Sequence, residues 1–276
     1  MTLGSWLAQS TALLRGAEVE SARLDCLIIA EGVLRKDRAW ILAHYDFEIY
    51  EDALEQLDVC VSRRKKHVQV AYIIGKAHFF GREFAVCPDV LVPRPDSEAM
   101  LDLLLKIVKT EYKNHNPAIV DIGTGSGCLG ITAALELQEA SVELRDVDDK
   151  ALAQAKINAK ALNANVTFAH ANLLNPAPNC DIILANLPYV PENFPINKAA
   201  RHEPAIALFS GENGLDLYSQ MWEQIGNLTH QPQYVITESL LHQHNYLVEM
   251  SKNAGYSLIE TSGLAQCFRL NLICGS

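Results

Sequence analysis

Apolar residues recur at helical spacing through roughly the first sixty positions. Leu24, Leu27 and Ile28 form one set, and Leu54, Leu57 and Val61 form another, as on the buried face of an amphipathic helix. Gly16 and Gly32 are the expected breaks, so this stretch predicts a small bundle of about four helices. The pattern changes near Gln69. Val70-Ala71-Tyr72-Ile73-Ile74 is a continuous apolar run ended by Gly75, and Phe79-Phe80, Gly81-Arg82-Glu83 and Phe84-Ala85-Val86 predict a hairpin. Val90-Leu91-Val92 follows and stops at Pro93-Arg94-Pro95. Residues 69–92 therefore read as a β-rich connector. Asp96 and Ser97 offer helix-starting side chains before the apolar stretch Met100 to Val108.

From Pro117 the period alternates. Strands are expected at Ala118 to Ile122, Val142 to Arg145, Val166 to Ala169, Asp181 to Ala185 and Tyr234 to Thr237. An apolar helix runs through Leu137 after the first strand. Leu152, Ala155, Ala159 and Leu162 line a face of the next. Ser257 to Glu260 and Cys267 to Leu272 close the chain as a hairpin. Strand–helix alternation with short connections predicts an α/β fold, a doubly wound parallel sheet with a C-terminal antiparallel hairpin. Ligands in such sheets lie at the carboxyl ends of the strands near the switch point. The organisation expected is a helical domain over 1–68, the connector over 69–92 and an α/β domain over 93–276.

Composition narrows the function. The 276 residues carry 23 Lys+Arg against 33 Asp+Glu, a net charge of −10, which disfavours a broad phosphate-binding footprint. The run Arg63-Arg64-Lys65-Lys66 is the one basic cluster, and reads as a solvated helix end. Seven scattered cysteines, Cys26, Cys60, Cys87, Cys128, Cys180, Cys267 and Cys274, form no CxxC pair, against a disulfide framework or zinc ribbon. His242 and His244 do not share a helix face, and no metal site is expected. No apolar segment is long enough to span a bilayer, and Met1 to Gly16 does not read as a signal peptide. The expected compartment is the cytoplasm.

The chemistry collects after the strands. The loop Asp121-Ile122-Gly123-Thr124-Gly125-Ser126-Gly127 lets the backbone turn sharply and approach a ligand ahead of free helix N–H groups. Its third glycine falls one place early for a nicotinamide fingerprint, where Cys128 stands. Asp146, 23 residues after Gly123, can accept ribose hydroxyl protons from an adenosine ligand; Asp148 and Asp149 are its competitors. Asn186-Leu187-Pro188-Tyr189 follows the fourth strand. It places a polar amide, a stiff ring and an aromatic where a flat substrate would lie.

This ordered set resembles class I S-adenosylmethionine-dependent methyltransferases that act on planar, conjugated nitrogens. Val70 to Gly75, Phe79 to Val86, Val90 to Glu98, and Arg201-His202-Glu203-Pro204 with Ala207-Leu208 and Gly211 to Leu217 are similar to blocks of the HemK/PrmC family. Its members are glutamine-N(5) methyltransferases acting on the Gly-Gly-Gln loop of peptide-chain release factors. The resemblance covers almost the whole chain. It implies S-adenosylmethionine as cofactor, with S-adenosylhomocysteine as product, and release factors as partners, with no direct nucleic-acid or membrane binding. It implies that Asp121 and the residues Gly123, Thr124, Gly125, Ser126 and Gly127 serve the cofactor, with Asp146 on its ribose and Asn172 and Leu173 beside its adenine. Asn186 and the Leu187 main chain would hold the glutamine amide, with Pro188 and Tyr189 completing the catalytic set. Arg94 and Glu98 would frame the pocket, and Glu203 would brace the loop after Tyr189. The helical domain would bind the release-factor body. The family usually has Pro where Leu187 stands, which implies a less rigid loop here. An acid is common at Asn172, a larger side chain at Leu173 and an aromatic at His202. Asn-Leu-Pro-Tyr also occurs in ribosomal-RNA adenine N6-methyltransferases, the competing expectation, and a ribosomal-protein glutamine methyltransferase of the same family would share the amide pocket.

Overall fold

The computed structural model describes residues 1–113 and 115–271. Leu272, expected in the last strand, and Cys274 lie outside the described residues. The chain divides into two compact units. One is Met1–Lys76 with Ile196–His202; the other holds Ala77–Pro195 and Glu203 onward.

The first unit is helical: α1 (Leu3–Gly16), α2 (Ala22–Leu34), α3 (Arg38–Ala43), α4 (Glu51–Lys65) and α5 (Val70–Ile74). Thr2 caps α1 by accepting from the Ser5 N–H, and Asp37 caps α3 by accepting from Trp40, each satisfying a donor that the helix start leaves open. Leu3, Trp6, Leu7, Cys26, Ile29, Ile41 and Leu57 form its core. Two expectations change. Gly32 does not break a helix but lies inside α2, where an added Cβ would sit 3.2 Å from Ile74; glycine there permits close packing. The buried face of α2 includes the expected Leu27 with Cys26, Ile29 and Ala30, whereas Leu24 is exposed. The basic run at the end of α4 is not simply solvated either. The Arg64 guanidinium reaches the buried Asp25 carboxylate at 2.7 Å, and Asp25 also accepts from Ser21.

Val70 to Ile74 folds as the helical turn α5 rather than a strand. A short apolar run fits either state, and here Gly75, at φ +75°, closes the turn by donating to the Ala71 carbonyl. The hairpin is present as β1 (Lys76–Phe79) and β2 (Arg82–Ala85), joined by Phe80 and Gly81, both at positive φ, as a tight two-residue turn requires. Val90 to Val92 is irregular chain. The expected β-rich connector is thus a helix, a hairpin and a loop.

The second unit carries α6 (Glu98–Glu111), β3 (Ala118–Ile122), α7 (Cys128–Glu136), β4 (Ser141–Asp146), α8 (Asp149–Ala161), β5 (Thr167–His170), β6 (Ile182–Ala185), α9 (Asp216–Gly226), β7 (Tyr234–Glu238), α10 (His244–Asn253), β8 (Tyr256–Ser262) and β9 (Ala265–Leu270). Seven strands form one sheet in the order β5-β4-β3-β6-β7-β9-β8. The first five in that order are parallel, β9 runs antiparallel to β7, and β8 pairs with β9. The central strands alternate between two cores. Ile119, Ile182, Leu184, Tyr234 and Ile236 pack with α6 and α7, while Val120, Ile122, Ile183, Ala185 and Val235 pack with Tyr218, Met221, Trp222 and Leu247 of α9 and α10. Burial on both faces is why these strands read as unbroken apolar runs. Winding starts at β3, proceeds outward through β4 and β5, and reverses at β6. The switch point therefore lies between the carboxyl ends of β3 and β6, and the loops leaving those two strands face one another there.

Candidate active site

A cleft of about 190 Å³ opens at the switch point. Its walls include Gly123 and Gly125 after β3, Asp146 and Asp148 after β4, Asn172 and Leu173 after β5, and Asn186, Leu187 and Pro188 after β6. Sequence-distant residues converge because every parallel strand ends on the same side of the sheet.

The glycine loop divides its labour. Gly125, at φ +54°, lies on the cleft wall where a Cβ would touch no protein atom. Gly127, at φ +82°, begins α7 so tightly that a Cβ would lie 2.7 Å from Ile131. Asp121 does not face the cleft. It is buried on the opposite face of β3, where its Oδ2 accepts from the Thr124 hydroxyl at 2.6 Å and the Gly130 N–H at 2.9 Å. Burial raises its carboxyl to about 6 despite those two bonds. Thr124, Ser126 and Gly127 likewise hold the loop's shape and do not line the cleft. Of the loop Asp121 to Gly127, Ile122, Gly123 and Gly125 line it.

Asp146 is placed as expected. Its Oδ2 accepts from the Gly125 N–H and its Oδ1 from the Asp148 N–H, both at 3.0 Å, and burial raises its carboxyl above the ordinary range. Asp148 caps α8 by accepting from Lys150, and Asp149 is exposed and pairs with His170. Asp146 and Asp148 thus both line the cleft, and Asp149 does not. Leu173 is buried at φ +55°.

Asn186 donates through Nδ2 to the Ser97 hydroxyl at 2.9 Å. Ser97 sits where the sequence places a helix start, but its side chain makes no cap bond; it is spent on Asn186. Leu187 is buried, and its N–H donates to the Tyr218 hydroxyl at 3.2 Å. Tyr218, on α9, in turn donates to the carbonyls of Ala185 and Glu238. The Tyr189 hydroxyl donates to Glu238 Oε1 at 2.9 Å, and burial with that carboxylate's charge raises its pKa. The Tyr189 carbonyl accepts from Gln243 at 2.8 Å. Glycine is required at 214 beside it, because a Cβ there would lie 2.1 Å from the Tyr189 oxygen.

Arg94 and Glu203 form an ion pair at 2.5 Å with the Glu203 side chain wholly buried, and Glu203 also accepts from the Val92 N–H. Neither lines the cleft. Glu98 is not at the pocket: it accepts from the Phe80 N–H at the hairpin turn, where its first-turn carboxylate meets an open donor. Sequence reading missed Glu238, Tyr218 and Gln243. Glu238 had a signal, an acid ending an apolar strand beside the switch point. Tyr218 and Gln243 had none, since the site residues they bond, Ala185, Glu238 and Tyr189, lie 20 or more residues away.

The sheet order, with a glycine loop after its first strand and an acid after its second, defines a class I methyltransferase. Among solved structures, a Thermus thermophilus 16S rRNA N2 G1207 methyltransferase has the same fold, with TM-score 0.50 and 15% identity over 71% of this chain and 50% of that one. Residues 5–75 match the family described as PrmC N-terminal domain, and residues 97–202 match the Methyltransferase small domain. The release factor glutamine methyltransferase of Bacillus subtilis (strain 168) is 38% identical over 73% of this chain and 73% of its own length. That of Clostridium acetobutylicum is 29% identical over 95% and 94%. The chain belongs to the release factor glutamine methyltransferase family.

Proposed function

We propose that this protein transfers a methyl group from S-adenosylmethionine to the side-chain amide nitrogen of the glutamine in the Gly-Gly-Gln motif of peptide-chain release factors. The observation that carries this reading is Asn186, held by its Nδ2 at the mouth of the cleft directly after the strand that faces the glycine loop. The residues suit the donor. Gly125 leaves room against its backbone, and the paired acceptor oxygens of Asp146 suit ribose hydroxyls. Asn172 and Leu173 then flank the adenine. S-adenosylmethionine, when bound, supplies an electrophilic methyl on a sulfonium sulfur.

An amide nitrogen is a poor nucleophile because its lone pair is delocalised into the carbonyl. Asn186 Oδ1 and the Leu187 carbonyl accept its two hydrogens, which draws the nitrogen toward tetrahedral geometry and frees the lone pair. These fixed acceptors stabilise the positive charge that develops on nitrogen; the methyl–sulfur bond breaks as the methyl–nitrogen bond forms, S-adenosylhomocysteine leaves, and the now acidic nitrogen gives up one of its two protons to solvent. Pro188 stiffens the turn, and Tyr189 presents a ring face to the planar amide. Arg94 and Glu203 support the pocket from behind. The helical domain binds the body of the release factor, and the cytoplasm is where the two meet.

The test is incubation with labelled cofactor and either whole release factor or ribosomal RNA. Mass spectrometry is expected to find one methyl on the motif glutamine. Asn186→Ala is expected to lower turnover by about 10²-fold or more while cofactor affinity stays within a few-fold. Label in RNA, or on a ribosomal-protein glutamine with none on the release factor, would overturn the assignment.

A further inference from the structure

An asparagine carboxamide is nearly symmetric in shape but not in chemistry. Presented by its oxygen it accepts a substrate N–H, and presented by its nitrogen it repels one. Something in the protein must decide which end of Asn186 faces the acceptor. Around it the structure gathers Ser97, Tyr189 and Glu238. Glu238 ends β7, and its side chain is buried. Oε1 accepts from the Tyr189 hydroxyl, and Oε2 is buried with no hydrogen-bond partner among the described residues. An unpartnered buried carboxylate oxygen is costly, so its retention here calls for a use. Ala185 pairs with Thr237, so Asn186 and Glu238 leave neighbouring strands at the same level; burial raises the Glu238 carboxyl above its ordinary value, while Ser97, Tyr189 and Asn186 act in the opposite sense and favour its ionised form.

We propose that Glu238, with Ser97, is the positioning residue that sets the orientation of the Asn186 carboxamide. An ionised carboxylate only accepts. The Ser97 oxygen accepts from Asn186 Nδ2, which leaves its one proton free to turn toward Glu238. Both neighbours of that end of Asn186 therefore demand N–H donors. The amide can satisfy them only with Nδ2 inward, and Oδ1 is then presented to the substrate. The same carboxylate holds the Tyr189 hydroxyl, so one group orients both the acceptor and the aromatic. The inference rests on the proposed glutamine chemistry and names the residue that gives its acceptor a direction.

Glu238→Gln is the informative change, because a glutamine amide can donate to Asn186 Oδ1 and stabilise the reversed orientation. It is expected to lower kcat on release factor about 10- to 100-fold, with KM for release factor and cofactor Kd within about twofold. Glu238→Asp, which still only accepts, is expected to retain clearly more kcat than Glu238→Gln. Ser97→Ala is expected to reproduce the kcat loss, and Ser97→Thr, which keeps a hydroxyl, to recover much of it. The double change Glu238→Gln with Ser97→Ala is expected to cost little more than either alone. Should the Glu238 variants not fold, the Ser97 pair decides. The proposal is overturned if Glu238→Gln keeps kcat within threefold of the wild type, if its loss lies wholly in KM, or if Ser97→Thr is as impaired as Ser97→Ala. Wild-type glutamine methylation is measured first. Its absence would overturn the function itself, whereas an insensitive Glu238 in an enzyme that methylates glutamine overturns only the orienting role.

Discussion

Asp121 and Leu187 show how much a single side chain can settle. Asp121 was expected at the cofactor, and instead it is a wholly enclosed carboxylate that locks the glycine loop onto α7. Its pKa of about 6 has a direct consequence for stability. The folded value lies above the unfolded one, so the native state binds the proton more tightly. The contribution is full below about pH 4 and is lost as the pH rises through about 6. A rise from 3.8 to about 6 corresponds to roughly 3 kcal/mol as an upper figure. Asp121→Asn keeps an acceptor for Thr124 and Gly130. It is expected to be more stable than wild type at pH 8, with the difference vanishing at pH 4, as read from urea unfolding at the two values. Leu187 stands where the resemblance to the family leads to the expectation of a proline. Proline has no N–H; Leu187 does, and donates it to Tyr218. That bond restrains the turn that a missing proline would otherwise leave looser.

At the scale of elements, α9 lines the cleft with Leu217 and braces the site from behind with Tyr218. Tyr218 is fully buried and its one hydroxyl ties three backbone groups, on Ala185, Leu187 and Glu238. It thereby joins the ends of β6 and β7, the strands that deliver Asn186 and Glu238. Tyr218→Phe leaves a buried N–H without its acceptor, at a cost of about 1–3 kcal/mol. It is expected to lower the urea midpoint and reduce turnover at least tenfold, with cofactor affinity nearly unchanged. The elements themselves were largely legible. Continuous apolar runs and turn residues located every strand of the large sheet and both hairpins. The exception, Val70 to Ile74, was illegible for a stated reason: five apolar residues carry no period, and the neighbours that bury them decide between helix and strand. The role of Ser97 was hidden in the same way, because a serine at a helix start serves a cap or a tertiary partner with equal ease.

For the whole molecule, each compact unit contains an ion pair with a buried carboxylate, Asp25 in the helical unit and Glu203 in the sheet unit. The helical unit contains a buried ion pair, Arg64 with Asp25, whose side chains are 12% and 4% exposed. Removing one partner strands a buried charge and typically costs 3–5 kcal/mol. Arg64→Met is expected to destabilise this unit while the sheet unit still binds cofactor. Hydrogen exchange should rise over Met1 to Lys76, and a cofactor titration should be little changed. Methylation of whole release factor is expected to fall through KM. Charge patterning had suggested that this basic run is solvated; the composition of a helix end cannot show that one of its arginines turns inward.

By itself, the chain's order of residues determined the doubly wound sheet, the glycine loop, the acid after the second strand and the Asn-Leu-Pro-Tyr turn, because these depend on local period, backbone freedom and short spacing. Only the tertiary structure decided that Asp121 faces away from the cleft, that Asp146 and Asp148 line it while Asp149 does not, and that Ser97 and Glu238 gather at the Asn-Leu-Pro-Tyr turn with Tyr218 behind it. Those choices arise where the ends of separate parallel strands meet, and the direction a hydrogen bond takes there depends on partners that no local pattern encodes.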